Sequence, residues 1–466
     1  MISQKTRNSL LYILAVTVIV FGSIFLVSLA QGYEYDFLRN RIRLTGLVLI
    51  GSQPNGASIG VNGNQVKPKT PYRIENVTTG NLEIELSKND YQNWKSNFNV
   101  KAGEVTFANY ALLVPNKLNY TQIGQPNTFT NLVISEDRRH QYAISNSPVG
   151  IWRIETNRLA PLYSPPVDGN KPNQSVTEIT ALQASTDGSS LLFQQKTADG
   201  KLNNMFLNTA SGQLTNVSSE FGFNLAQLYF NPANSRELYW LDSQNLRRIS
   251  IDNKTVSAVL ISSVASLQPS QDRLMVVEAP TEPNKIEQSF YSYNLDGSDK
   301  KLVGTIVADP AGYDLAYVKG RFNSYAAVRA RSKNDFYLVR NPQSDSNKAT
   351  TVLTRDIRSF SFSPSSRFLV VNRAGQLKTY DLEFTQIYDN RYELGDLRQW
   401  QWYDNYHLLL IINNQARLVD FDGQNSYTIQ SSEDQVANIV PLESDKYIDY
   451  LNKAGNLTRV DLVLKR

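Results

Sequence analysis

A degenerate repeat running through most of the C-terminal part of this 466-residue chain limits its fold more than any other feature. Each copy reads as an apolar strand, a Ser/Pro/Asp turn, a second apolar strand, a polar turn, and a strand ending in Asp or Asn. The clearest copy runs from Phe360-Ser361-Phe362-Ser363-Pro364 through Phe368-Leu369-Val370-Val371 and Gly375 to Leu377–Leu382. Others contain Ser185-Thr186-Asp187-Gly188, Gln268-Pro269-Ser270, Trp402-Tyr403-Asp404 and Glu443-Ser444-Asp445, with weaker ones near Ser135-Glu136-Asp137, Asn231-Pro232 and Arg321-Phe322-Asn323. Aligning the turns near 137, 187, 234, 272, 322, 365, 404 and 445 gives spacings of 50, 47, 38, 50, 43, 39 and 41 residues. A period of about 40–50 residues is that of a four-stranded propeller blade. Eight copies predict eight blades, with seven as the alternative because the copies near 137 and 322 are weak. The last copy supplies three strands, so Leu118 to Ile123 is expected to complete its sheet by pairing with Leu457 to Leu462 and closing the ring.

The N-terminus differs in kind. Leu10 to Ala30 holds 21 residues without a charge, enough for a helix of about 31 Å, the thickness of a bilayer's hydrocarbon. Ser28-Leu29-Ala30 also resembles a cleavage site, but signal-peptide apolar regions are about 7–15 residues long, so a retained anchor is expected. Two Lys/Arg precede the segment and three follow it, so positive charge does not set the orientation. The reading is a tail over 1–9, a transmembrane helix over 10–30 and a connector over 31–43.

From Leu44 short alternating stretches begin. Leu47–Ile50 reads as a strand, Ala57–Val61 as another, and Asn62-Gly63 as a two-residue hairpin turn. Leu82-Glu83-Ile84-Glu85-Leu86 alternates strictly, as a strand with one buried face does. Ser52-Gln53-Pro54-Asn55-Gly56-Ala57, Val61-Asn62-Gly63, Thr70-Pro71, Tyr91 with Trp94, and Gly103-Glu104 follow in order. This set resembles the PEGA domain, a small bacterial and archaeal extracytoplasmic β module. Lys69 and Asp90 stand where that family often has Gly, and neither is a core position. The resemblance implies a β-sandwich over 44–116, with Tyr91 and Trp94 in its core instead of stacked on a ligand. The copies over 117–466 lack the Gly-His and Trp-Asp signature of WD40 blades and are similar to TolB-like bacterial propellers, Ser363-Pro364 being the closest match. Both resemblances imply that everything after the anchor lies outside the cytoplasm. The expected class is all-β: an N-terminal transmembrane helix, a small PEGA-like β-sandwich, and a β-propeller of four-stranded blades.

Composition narrows the chemistry. With no Cys there is no disulfide, thiolate zinc site or cysteine nucleophile. His140 and His407, the only histidines, leave little for a His-based metal site or a catalytic triad. The net charge of +4 divides as +3 over 1–44, +2 over 45–117 and −1 over the rest, so the largest part lacks the basic surface of a nucleic-acid binder. Asp420–Asn425 and Asp296–Asp299 could be read as calcium loops, but without further oxygen ligands at fixed spacing they are turns. There is no nucleophile elbow, phosphate loop or HExxH motif. Trp400, Trp402, Tyr403 and Tyr406 would suit stacking on a sugar, yet alternation favours filling the space between blades. No catalytic, cofactor-binding or metal residue is assigned. The expected function is a non-catalytic, membrane-anchored scaffold of the cell envelope that binds protein or glycan. The alternative is a glycosidase or lyase with carboxylates in the propeller channel.

Overall fold

A computed structural model describes residues 4–36, 40–125, 127–155, 158–166, 175–222, 227–280, 282, 286–344, 351–374, 376–390, 396–441 and 446–462. The chain divides at Leu118–Asn119 into two units, each with its own core.

The first unit opens with helix α1, Gln4–Ala30. None of the apolar stretch Tyr12–Ala30 is buried by protein. The hydroxyls of Thr17 and Ser28 donate to the carbonyls of Ile13 and Ile24, each at 2.8 Å, so their polar groups are satisfied inside the helix, as an apolar surrounding requires.

Two four-stranded sheets follow. One contains β1 (Tyr33–Asp36), β2 (Arg41–Gln53), β5 (Tyr72–Thr78) and β8 (Val105–Leu112); the other orders β4 (Asn64–Lys69), β3 (Ser58–Val61), β6 (Gly80–Ser87) and β7 (Trp94–Val100). The motif residues meet. Buried Ser52 and Thr70 share a hydroxyl–hydroxyl bond of 2.6 Å, and Thr70 Oγ1 accepts from the amide of Ala57 at 3.0 Å. Asn62 and Gly63 take φ of 47° and 78°, the double left-handed turn that suits a two-residue hairpin, and Asn62 Oδ1 accepts from the amide of Glu83 at 2.9 Å. Trp94 is fully buried, edge-on to Tyr110 at 5.6 Å, and Tyr91 is also in the core. Residues 31–43, read as a connector, carry β1 and the start of β2 as an antiparallel hairpin.

The second unit contains, among the described residues, eight four-stranded sheets. Seven are antiparallel meanders within 129–163, 176–216, 228–256, 264–307, 313–354, 357–390 and 397–428. The eighth takes three strands from 436–461 and its fourth from β9, Asn119–Ile123. Asn119 pairs with Asp461 and Ile123 with Leu457. The first strands of blades 1 and 2, of 3 and 4, and of 4 and 5 pack together, and that of blade 8 packs on that of blade 1, closing the ring. This answers the choice between seven and eight. The weak copies near 137 and 322 both form turns between two full strands. The Glu443–Asp445 turn and Gly375 lie outside the described residues.

Alternation along each strand puts apolar residues on both sheet faces, so the cores lie between blades. Tyr142, Ile144 and Ile151 of blade 1 pack on Leu191, Phe193 and Met205 of blade 2. Met275, Val277 and Phe290 of blade 4 pack on Tyr313, Val328 and Tyr337 of blade 5. Phe368 of blade 6 stacks on Phe421 of blade 7 with centroids 4.3 Å apart. At the closure, Ile123 and Leu457 join Phe129, Leu132 and Ala143 of blade 1.

The repeated Ser turn has a structural cause. Ser185 Oγ accepts from the amide of Ser190 at 3.0 Å and donates to Asp187 Oδ1 at 2.7 Å, while the Ser185 amide donates to the carbonyl of Ser190 at 2.9 Å. Ser135 does the same with His140 and Asp137, and Ser363 pairs likewise with Phe368. The hydroxyl thus occupies an amide that the turn would otherwise leave unbonded.

Truncating Ile123 to Ala should lower stability by about 2–5 kcal/mol, the usual cost of such a cavity, read as a shifted urea midpoint. Removing residues 118–124 should lower the melting temperature of the propeller well below that left by removing 1–117, which keeps β9 in place.

Candidate functional site

The innermost strands line a central channel. On the side of blades 4, 5 and 6 it holds a cavity of about 520 Å³. Its polar lining comes from Gln268, Ser270 and Gln271 of blade 4, Ser359 and Ser361 of blade 6, and two acids, Asp314 of blade 5 and Glu136 of blade 1. Phe360 and Phe362 add apolar surface.

Both carboxylates are already engaged. Asp314 is held by the guanidinium groups of Arg329 and Arg331, each donating from Nε at 2.8 Å. Glu136 Oε2 accepts from Thr186 Oγ1 at 2.9 Å. Beside Glu136, Arg138 donates from Nη1 to the carbonyl of Tyr403 at 2.8 Å. That contact joins blades 1 and 7, which are not neighbours in the ring, and such a reach is open only near the axis.

The aromatic cluster supports this wall from behind. Trp400 Nε1 donates to Ser359 Oγ at 3.1 Å and Trp402 Nε1 to the carbonyl of Ser361 at 3.4 Å. The alternate residues Gln399 and Gln401 turn the other way and donate to the carbonyl of Ile439 in blade 8. Trp402 and Tyr403 are each 2% exposed. Trp402 and Tyr403 therefore fill space between blades, while Trp400 and Tyr406 stay half-buried.

A second group of charges escaped the sequence reading. In blade 7 the turn is one residue shorter: Tyr403 stands at the Ser position, its amide donating to the carbonyl of His407 at 2.8 Å, and the next residue, Asp404, supplies the acceptor that the Ser hydroxyl gives elsewhere. Its Oδ1 accepts from the amides of Tyr406 and His407, each at 2.7 Å, which leaves Oδ2 to bond His407 Nδ1 at 2.7 Å. His407 Nε2 lies 3.4 Å from Asp420 Oδ1, and His407 is only 3% exposed. Burial opposes the charge on His407, but Asp404, with Asp420 and Asp422 behind it, outweighs that and pushes its pKa up to about 9. Burial pushes the carboxyl of Asp422 upward, while His407 and the turn amides hold that of Asp404 below its ordinary range. A Cys-free chain with one spare His gives little warning of this. The available signal was the Asp404–His407 spacing next to a strand.

The two candidate calcium loops are turns. Gly423 and Gly297 take φ of 85° and 86°, and Asp422 and Asp296 accept from the amides two residues on, at 3.0 and 2.9 Å. Among the described residues no group of three or more His, Asp or Glu could hold a metal ion.

Comparison with known proteins assigns the smaller unit. Residues 45–114 match the PEGA domain family. This stretch is a PEGA domain. No curated protein matches the chain in sequence. Among solved structures, the Dos1 propeller resembles it with a TM-score of 0.47 at 11% identity, over 74% of this chain and 95% of that one. Virginiamycin B lyase from Staphylococcus aureus does so with a TM-score of 0.41 at 10% identity, over 74% and 99%. Dipeptidyl peptidase 4 of Porphyromonas gingivalis gives 0.47 at 11% identity, over 70% and 56%. At such identities these likenesses carry nothing about activity. The PEGA domain and the propeller are joined here in one chain behind an apolar N-terminal helix.

The sign of the His407 effect follows from its raised pKa. Its contribution to stability is fully present below about pH 6.5 and is lost as pH rises through about 9. Stability of the protein should fall between pH 7 and 9.5. His407→Gln should be less stable at pH 7 and nearly flat over that interval, read by denaturant titration at each pH.

Proposed function

We propose that this protein is a membrane-anchored, extracytoplasmic propeller that binds a protein or glycan ligand at its channel without transforming it. One observation carries the reading: the carboxylates lining the cavity, Asp314 and Glu136, are already engaged by Arg329 and Arg331 and by Thr186. A glycosidase needs one carboxyl free to give a proton and a second free to attack or to activate water, with the sugar between them. A cavity lined by amides, hydroxyls and two Phe rings instead suits a neutral polar ligand with an apolar side.

PEGA domains are usually extracellular, and the nine residues before the apolar stretch carry Lys5 and Arg7 with no acid. Both favour display of residues 31–466 outside the cytoplasm, with α1 as a retained anchor. TolB-like propellers of the envelope are the resemblance that fits this placement.

The purified protein should retain a subset of envelope glycans or peptides on an array and release them unchanged by mass spectrometry. Turnover that disappears in Glu136→Gln or Asp314→Asn would overturn the binding reading in favour of the enzyme. For the anchor, the protein should stay with membranes through alkaline carbonate washing, with a mature N-terminus before residue 10. Protease added to intact cells, with any outer layer permeabilised, should digest the propeller. An N-terminus at Gln31 would refute the anchor.

A further inference from the structure

The hairpin that follows α1 has two unlike faces. Tyr33 pairs across the strands with Leu44 and Tyr35 with Ile42, so these four side chains share one face. All four are exposed, at 44%, 39%, 44% and 67% in that order. The opposite face carries Arg41 and the ion pair of Arg43 with Glu34 at 2.7 Å. Along β2, Ile42 and Leu44 have the parity of Val48 and Ile50, which are in the sandwich core. The apolar face of the hairpin is thus the core side of β2, continued past the end of the sandwich into the open.

Its place next to the helix is fixed by backbone contacts. The amide of Gly32 donates to the carbonyl of Leu29 at 3.0 Å, the carbonyl of Gly32 accepts from Thr45 at 2.7 Å, and the amide of Gly103 donates to the carbonyl of Thr45 at 2.9 Å. A Cβ on Gly32 would lie 2.3 Å from both Gly103 N and Thr45 O, and one on Gly103 would lie 2.8 Å from the carbonyl of Ala30. Only glycine permits that approach at φ of 84° and 66°. No spacer separates the last turn of α1 from the hairpin.

We propose that this hairpin is a foot that rests on the bilayer, with Tyr33, Tyr35, Ile42 and Leu44 in the headgroup zone and the charged face toward water. The inference rests on the reading of α1 as a retained anchor. Headgroups extend about 5–8 Å beyond the hydrocarbon on each side, so residues tied to the end of the helix fall within that zone. Tyr is favoured there because its ring is apolar and its hydroxyl stays wet. An amphipathic element gains by sinking one face into the same region. Arg41 and Arg43 can extend their heads to lipid phosphates from there.

The absence of native Cys allows a clean test on the full chain. Single nitroxide labels at Ile42→Cys, Val20→Cys and Asn64→Cys would be compared in phosphatidylcholine vesicles containing phosphatidylglycerol. The readout is the ratio of collision with oxygen, which enters lipid, to collision with a nickel chelate, which stays in water. The ratio at 42 should fall between the lipid value at 20 and the water value at 64, and Leu44→Cys should agree. A ratio at 42 equal to that at 64, with 20 still lipid-like, overturns the foot and leaves the anchor standing. A label at 42 shielded from both reagents means that protein covers this face, which also overturns it. Water-like values at all three positions remove the anchor and the foot together.

Discussion

The propeller depends on one strand pairing. Without β9, the strand Leu457–Asp461 would present a row of unbonded amides and carbonyls to solvent at the rim of blade 8, an edge that invites pairing with another chain. With it, residues over 330 positions apart share one sheet, and blade 8 holds both ends of the propeller unit. The buried pair of Arg459 and Asp449 lies in the same sheet, with two contacts of 2.7 Å, and Arg459 Nη1 reaches on to the carbonyl of Glu155 in blade 1 at 3.3 Å. Closure therefore orders backbone, apolar core and a buried ion pair at one place. A buried pair of this kind adds little net stability but is costly to break from one side, so it favours a single register for the closing strand.

Closure also explains what the channel is made of. The blades bury apolar residues of both faces against their neighbours, and the cavity lining mixes Gln and Ser with Phe360, Phe362 and the two engaged acids. Links between blades run from side chains to carbonyls, such as Tyr239 to Leu295 at 2.7 Å, Tyr325 to Leu382 at 3.0 Å and Thr379 to Phe421 at 2.6 Å. Such bonds hold loops of one blade against the next without adding charge to the interior.

Much of the fold was legible because its signals are local. The Ser turn repeats since the hydroxyl has a fixed task within six residues, and Asn62-Gly63 specifies its own hairpin. The PEGA motifs were legible as a set, although their reason, the meeting of Ser52 with Thr70, is a contact across the sandwich. The hairpin at 33–44 was passed over even though Tyr33-Glu34-Tyr35-Asp36 and Arg41-Ile42-Arg43-Leu44 alternate with period two. Its basic residues had been weighed only for membrane orientation, and alternation over four residues is short. The channel was not legible at all. Glu136, Gln268, Asp314 and Ser359 come together only when the ring closes, and no spacing along the chain encodes that.

The buried histidine cluster lies away from the cavity lining, and this bears on how such a protein is interpreted. Shifted pKa values cluster at active sites, yet structural ion pairs shift them by the same physics. His407 and its acids sit in the turns of blade 7, where Asp404 replaces a Ser hydroxyl as the turn acceptor and its second oxygen fixes the imidazole. The imidazole is nearly inaccessible, so it cannot meet a substrate. Its charge follows from placing a carboxylate in a turn that other blades build with a Ser hydroxyl. The binding reading proposed for the channel therefore rests on the engagement of Asp314 and Glu136 and not on the histidine cluster.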